Sequence, residues 1–231
     1  RKDDDVFKRF IKNDKKENGM IEENTRNFIA GFRELVEQDN QVTINRLIKF
    51  MANSVQGELV AKCFYNDRSY TYYPRHIFYS LLLDLPYEEF HKCYIKCKVA
   101  ETPIITCIWN YDRVFDCLDG IGECNKNPFD GKTNTGNISA CLINPLGLVL
   151  VDNGNHSVNS AIIHNEGEII VKTIVDISPV LEKYKFNGKY FENIITNEII
   201  NDDTLKNNSE PFLYTLGLLF EMARVLNEKS R

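Results

Sequence analysis

The chain has 231 residues and a formal net charge of −5, with 43% hydrophobic and 26% charged residues. That length supports one large domain or two small ones with a proper core, and the balance excludes a disordered or fibrous chain. The negative charge disfavours duplex nucleic acid as a global partner, leaving only a local basic patch for such a contact, and no apolar run reaches the ~20 residues of a membrane helix.

The first residues, RKDDDVFKRF, carry charges of both signs without an apolar stretch of the signal-peptide kind, so no membrane and a cytoplasmic location are expected. Seven cysteines, an odd number without dense spacing, fit reduced thiols. Up to about Val99 the periodicity is helical. In TRNFIAGFRELVEQ, Phe28, Ile29, Phe32, Leu35 and Val36 form a stripe that must face another surface. Ile44, Leu47, Ile48 and Met51 continue the pattern, with Asp39 or Asn40 as N-cap. YNDRSYTYYPRHIFYS interleaves Tyr65, Tyr70, Tyr72 and Tyr73 with Arg68, Arg75 and His76; such a run can stack bases, though it more often forms a core edge. Two further helices are expected, opened by Pro74 and Pro86. In the second, His91, Cys93 and Cys97 would offer zinc-type ligands on one helix, but no second Cys/His pair follows at finger-like spacing.

After Glu101 the texture changes. TPIITCIW predicts a strand from about Pro103 to Trp109, and NYDRVFDCLDGIG a short helix capped by Asn110 or Asp112 and stopped by Gly120 and Gly122. ECNKNPFDGKTNTGN is a loop of unusual length, and such loops are often functional. Next come a strand, a turn at Asn144 to Gly147, a strand, a polar turn, a helix from about Ser157 and a strand from Glu168 to Val175, in the order β, β, α, β. Short elements surround Asn187-Gly188, and a closing helix takes Ser209 as cap and Pro211 in its first turn. The expected class is α+β: a helical region 1–99 packed on a small mixed α/β core 100–178, then an extension 179–231 ending in a helix, with one compact domain as an alternative division.

The stretch LVLVDNGNHSVNSA points to a site. Gly154 lets a buried strand turn sharply into a helix whose first amides stay open, and a helix start favours anions, phosphate above all. Asn155, His156 and Ser157 add donors and acceptors there, and His156 a group that ordinarily titrates near neutrality. Ordinary capping explains Asn155 or Ser157 singly, but explains the cluster of Asn153, Asn155 and His156 less well.

On TPIITCIWNYDRV and VLVDNGNHSVNSAIIHNEGEIIVKTIV, about residues 100–178, the chain resembles the ParB/sulfiredoxin-like superfamily, which pairs a Pro-Ile strand and an Arg-bearing helix with a later strand, a Gly-x-His-Arg turn and a helix. It also looks like a member of an uncharacterised bacterial family of short proteins that share the Pro-Ile strand and the Asn-Gly-Asn-His-Ser turn. The superfamily resemblance implies a sulfiredoxin-like fold with a nucleotide phosphate or related anion held at Gly154, Asn155 and His156, and Arg113 as a weaker counterpart of the arginine in the first helix. Two departures matter. Ser157 stands where the turn's arginine would be, removing a phosphate-gripping charge, and Asn155 stands at the sulfiredoxin cysteine, which removes thiol-based sulfinic-acid repair.

Two functions compete. One is a nucleotide-handling protein that hydrolyses a phosphoanhydride or a phosphodiester, with His156 and Asp152 as catalytic groups and magnesium on oxygens of Asp152, Glu101 and Asp112. The other is a non-catalytic binding or regulatory module in which the same turn, with Ser157 and Arg113, reads an anion or a protein partner. An HNH-type nuclease, suggested by NGNHS, lacks a second placed His or Asn. Trp109 and Asn110 are expected to line the pocket mouth, the ring covering a base and the amide bonding its edge, while His164 is expected at the helix end, exposed or near the C-terminal dipole.

Overall fold

The computed structural model describes the backbone of residues 3–65, 78, 87–132, 136–200 and 211–230, and the side chains of 19–64, 78, 88–132, 136–200 and 212–230. The tyrosine-rich run beyond the backbone of Tyr65, from Asn66 to His76, the helix expected from Pro74, Pro86 itself and the Ser209 cap lie outside the described residues.

The fold is α+β. In chain order it comprises α1 (Asp3–Glu37), α2 (Gln41–Tyr65), β1 (Phe90–Lys98), β2 (Ile104–Ile105), α3 (Tyr111–Gly120), β3 (Ser139–Asn144), β4 (Leu148–Asn153), α4 (Asn155–His164), β5 (Glu168–Asp176), α5 (Ser178–Lys183), β6 (Tyr184–Phe186), β7 (Phe191–Asn193) and α6 (Pro211–Lys229). The apolar stripes of the long helices find each other: Phe32 and Val36 of α1, Ile44, Ile48 and Val55 of α2, and Leu216 and Phe220 of α6 share one buried cluster. Between α1 and α2, Asn40 is the cap, its Oδ1 accepting from the Thr43 amide at 3.1 Å. The neighbouring Asp39 takes a left-handed backbone and meets Lys229 at 2.6 Å, tying the end of α6 to this turn.

Five strands form one mixed sheet in the order β1-β5-β3-β4-β2. β1 runs antiparallel to β5, β5 parallel to β3, β3 antiparallel to β4, and β4 parallel to β2. Side chains alternate across a strand, so the apolar run of β4 serves two layers. Leu148 and Leu150 face the long helices, whereas Val149 and Val151 pack with Val158 and Ala161 of α4 on the opposite face. The helical first part and the closing helix therefore cover one side of the sheet, and α4 covers the other.

Two expectations need correction. Residues 90–98 form an edge strand, not a helix: Cys93, Ile95 and Cys97 turn inward while Tyr94, Lys96 and Lys98 are exposed, a period of two. Phe90, Tyr94 and Cys97 also match a helical spacing, i, i+4, i+7, and pairing with β5 decides between the two periods. The His91, Cys93 and Cys97 trio thus lies on a strand, with the Cys93 thiol donating to the Val171 carbonyl at 3.4 Å. The strand expected from Pro103 to Trp109 pairs regularly only at Ile104 and Ile105; the chain stays buried through Ile108, but α2 and α4 take over as neighbours.

Candidate functional site

The hollow is built where β4 ends. At Gly154 the backbone takes φ +81°, and a Cβ there would meet the Asn137 carbonyl oxygen at 2.9 Å, so both conformation and space require glycine. α4 starts at Asn155, two residues before the expected Ser157, and its cap residue offers no side-chain oxygen to the first amides.

Asn155 does not supply one either. Its carboxamide is buried, accepting from the Cys107 amide at 2.7 Å through Oδ1 and donating to the Asp152 carbonyl at 3.2 Å through Nδ2. This pins the 103–108 segment to the start of α4. One residue on, His156 is also buried, and its Nε2 accepts from the Asn110 amide at 3.3 Å, which leaves Nδ1 to carry the ring's proton. The imidazole meets the edge of Trp109 at a centroid distance of 5.2 Å and an angle of 82°, and the Arg113 guanidinium lies 5.4 Å from the Trp109 ring centre. Burial, followed by the positive charge of Arg113, pushes the His156 pKa down, so the ring is neutral at pH 7.

These elements enclose a hollow of about 420 Å³, lined among others by Trp109, Arg113, Cys117, Asn137, His156 and Ser157. Its charged side chain is Arg113, and the partial positive charge of the α4 start has the same sign, so the hollow is electropositive. Of the residues singled out in the sequence, Trp109, Arg113, Gly154, Asn155, His156 and Ser157 come together here. Asn110 stands behind the wall: its Oδ1 caps α3 by accepting from the Arg113 amide at 2.9 Å, while its own amide positions His156.

Asp152 is not among the lining residues; it is exposed, at the point where the β3–β4 register shifts between the Ala140–Val151 and Ser139–Asn153 pairs. Glu101 pairs with Lys98 at 3.0 Å, and Asp112 is exposed in the first turn of α3. Among the described residues no three His, Cys, Asp or Glu side chains gather closely enough to hold a metal ion. His164 is half-buried at the end of α4, with Nδ1 3.9 Å from the Cys124 sulfur.

Sequence reading missed Cys117 and Asn137. Cys117 stands four residues after Arg113 on α3, hence on the same helix face, which was a usable signal. It also missed the polar seam behind the wall. The Gln56 carboxamide of α2 accepts from the Thr106 amide at 2.7 Å and donates to the Thr106 hydroxyl at 2.8 Å and to Asn159 Oδ1 at 2.9 Å, all buried. Gln56 sits inside the stripe of Ala52, Val55 and Leu59, and a polar residue within an apolar stripe marks such a network.

Among the described residues no helix is long and apolar enough to cross a membrane. The sequence matches, over residues 10–231, the family described as a family of unknown function, DUF6710. No curated protein matches it, and no solved structure does.

Proposed function

The chain belongs to the DUF6710 family of unknown function, and from its geometry we propose that it binds a phosphate-bearing ligand, a nucleotide or related anion, in the hollow at the start of α4. The observation that carries this reading is the convergence of the Arg113 guanidinium and the open helix start on one concave, aromatic-walled space. β2 lies parallel beside β4, α3 follows β2, and the Gly154–His156 turn opens α4; this order supports a ParB/sulfiredoxin-like core over residues 100–178. Seven free cysteines support a cytoplasmic setting.

Binding without turnover is the reading that His156 favours. A neutral ring whose Nε2 is engaged by the Asn110 amide walls the hollow and is poorly placed to pass protons. In this reading any magnesium arrives on the ligand's own phosphates.

Thermal unfolding with orthophosphate and with nucleotides is the test. A ligand at a hundred times its Kd adds about 2.7 kcal/mol, a rise of roughly 5–10 °C in Tm for a chain of this size. Arg113 is exposed on α3, so Arg113→Ala is expected to keep the Tm of the unliganded protein within about 2 °C and to lose most of the ligand-induced rise. If no anion raises the Tm of the unaltered protein, the reading fails.

A further inference from the structure

Beside the electropositive hollow lies a second one, of about 260 Å³, and the two share Asn137, Gly154 and Ser157 as a common rim. Its outer wall is the segment from Ile121 to Lys132, which has almost no regular structure and yet is fastened along its length. Gly122 and Asn127 bridge each other through backbone bonds of 2.8 and 3.2 Å. Asn125 and Asn127 donate to the carbonyls of Leu118 and Gly120 at the end of α3, at 2.9 and 2.7 Å. The Glu166 carboxylate accepts from both the Glu123 and the Phe129 amides, each at 2.9 Å. Gly131 bridges to Ile169 so closely that a Cβ would come 2.5 Å from the Glu168 carbonyl oxygen, and Lys132 pairs with Glu168. A loop tied down in this way does not collapse onto α4. These ties hold it as a wall, and the second hollow lies behind it.

The two hollows differ in chemistry. The first carries Arg113 and the helix start, whereas the charged side chain of the second is Asp130, set among Pro128, Phe129 and Ile138 with the carboxamides of Asn127 and Asn137. Arg113 and the helix start attract an anion to the first. An aromatic ring with N–H donors, or a sugar with hydroxyls, fits the second. We propose that the second hollow is the subsite for the base and ribose of the ligand whose phosphate lies in the first, so that the ligand class is a nucleoside phosphate spanning the Gly154–Ser157 rim. This rests on the phosphate-binding reading above and adds to it the larger part of the ligand.

Trp109 is the single tryptophan of the chain and lines the first hollow, so its fluorescence reports occupancy there. The experiment titrates the full chain with orthophosphate and with the four common nucleoside 5′-monophosphates. Base burial against Phe129 predicts that at least one nucleotide binds roughly tenfold or more tightly than orthophosphate. Asp130→Asn, which keeps the oxygen that accepts from the Lys132 amide, and Pro128→Phe, which fills the hollow, are each expected to narrow that ratio to about threefold or less. A ratio near one in the unaltered protein, or a ratio that survives both substitutions, overturns the subsite and leaves phosphate binding in place. No response to any of these anions, in fluorescence or in Tm, overturns both.

Discussion

Two helices begin at the first hollow, and they begin differently. α3 is closed by its own sequence, since Asn110 in extended backbone accepts from the Arg113 amide at 2.9 Å. α4 has a glycine in that place, and the asparagine beside it turns its oxygen away to the Cys107 amide at 2.7 Å. One carboxamide completes a helix; the other holds a neighbouring segment and leaves the helix start facing open space. An asparagine at a helix start is thus no guarantee of a cap. What decides is which buried donor the side chain meets, and here the Cys107 amide, outside the regular β2–β4 pairing, takes the Asn155 oxygen.

The contrast breaks most visibly at Asn155. Asn155→Ala leaves the buried Cys107 amide without an acceptor, at an expected cost of about 1–3 kcal/mol in urea unfolding, whereas Asn155→Asp keeps the acceptor and recovers part of the loss. Equal stability of the alanine variant and the unaltered protein would remove the role assigned to this side chain. At the capped helix, Asn110→Ala is expected to cost about 1 kcal/mol, since only the cap bond at the protein surface is lost. A larger loss there than at Asn155 would reverse the comparison.

The smallest effect is on pH dependence. Burial and Arg113 hold the folded-state pKa of His156 below its usual 6.5, so the folded chain binds fewer protons at this ring than the unfolded chain does. The contribution is complete above about pH 6.5 and is lost as pH falls through the folded value. His156→Gln should therefore lose stability more gradually than the unaltered protein below pH 6.5, and superimposable curves would show that the ring is not held neutral.

Much of this was legible in the sequence, for identifiable reasons. The stripes through Phe32, Ile48 and Phe220 belong to long helices whose period repeats often enough to be unambiguous. The β, β, α, β order was marked by turn residues, with Gly154 and Gly167 both at positive φ where punctuation was expected. β1 was not legible, because nine residues can satisfy two periods and only the partner strand chooses between them. The site divides in the same way. His156 and Ser157 belong to a turn whose geometry is local, whereas Trp109 and Arg113, from a distant stretch of the chain, reach the same hollow because β2 pairs with β4 ahead of α3. Asp152 was assigned to the site on proximity along the chain, and it lies instead at an irregular, exposed step of β4 outside the lining of the hollow. The seam of Gln56, Thr106 and Asn159 joins residues about 50 and 100 positions apart, beyond the reach of any local pattern.

The sheet's helical cover has a bearing on how the molecule is made. Ile143, Leu148 and Leu150 share one buried cluster with helices that precede the sheet and with α6, which follows it by some distance along the chain. During synthesis that face waits half-dressed until α6 emerges, so a message cut short before residue 211 would yield a nascent product with an open greasy flank, a natural client for chaperones and a ready target for degradation.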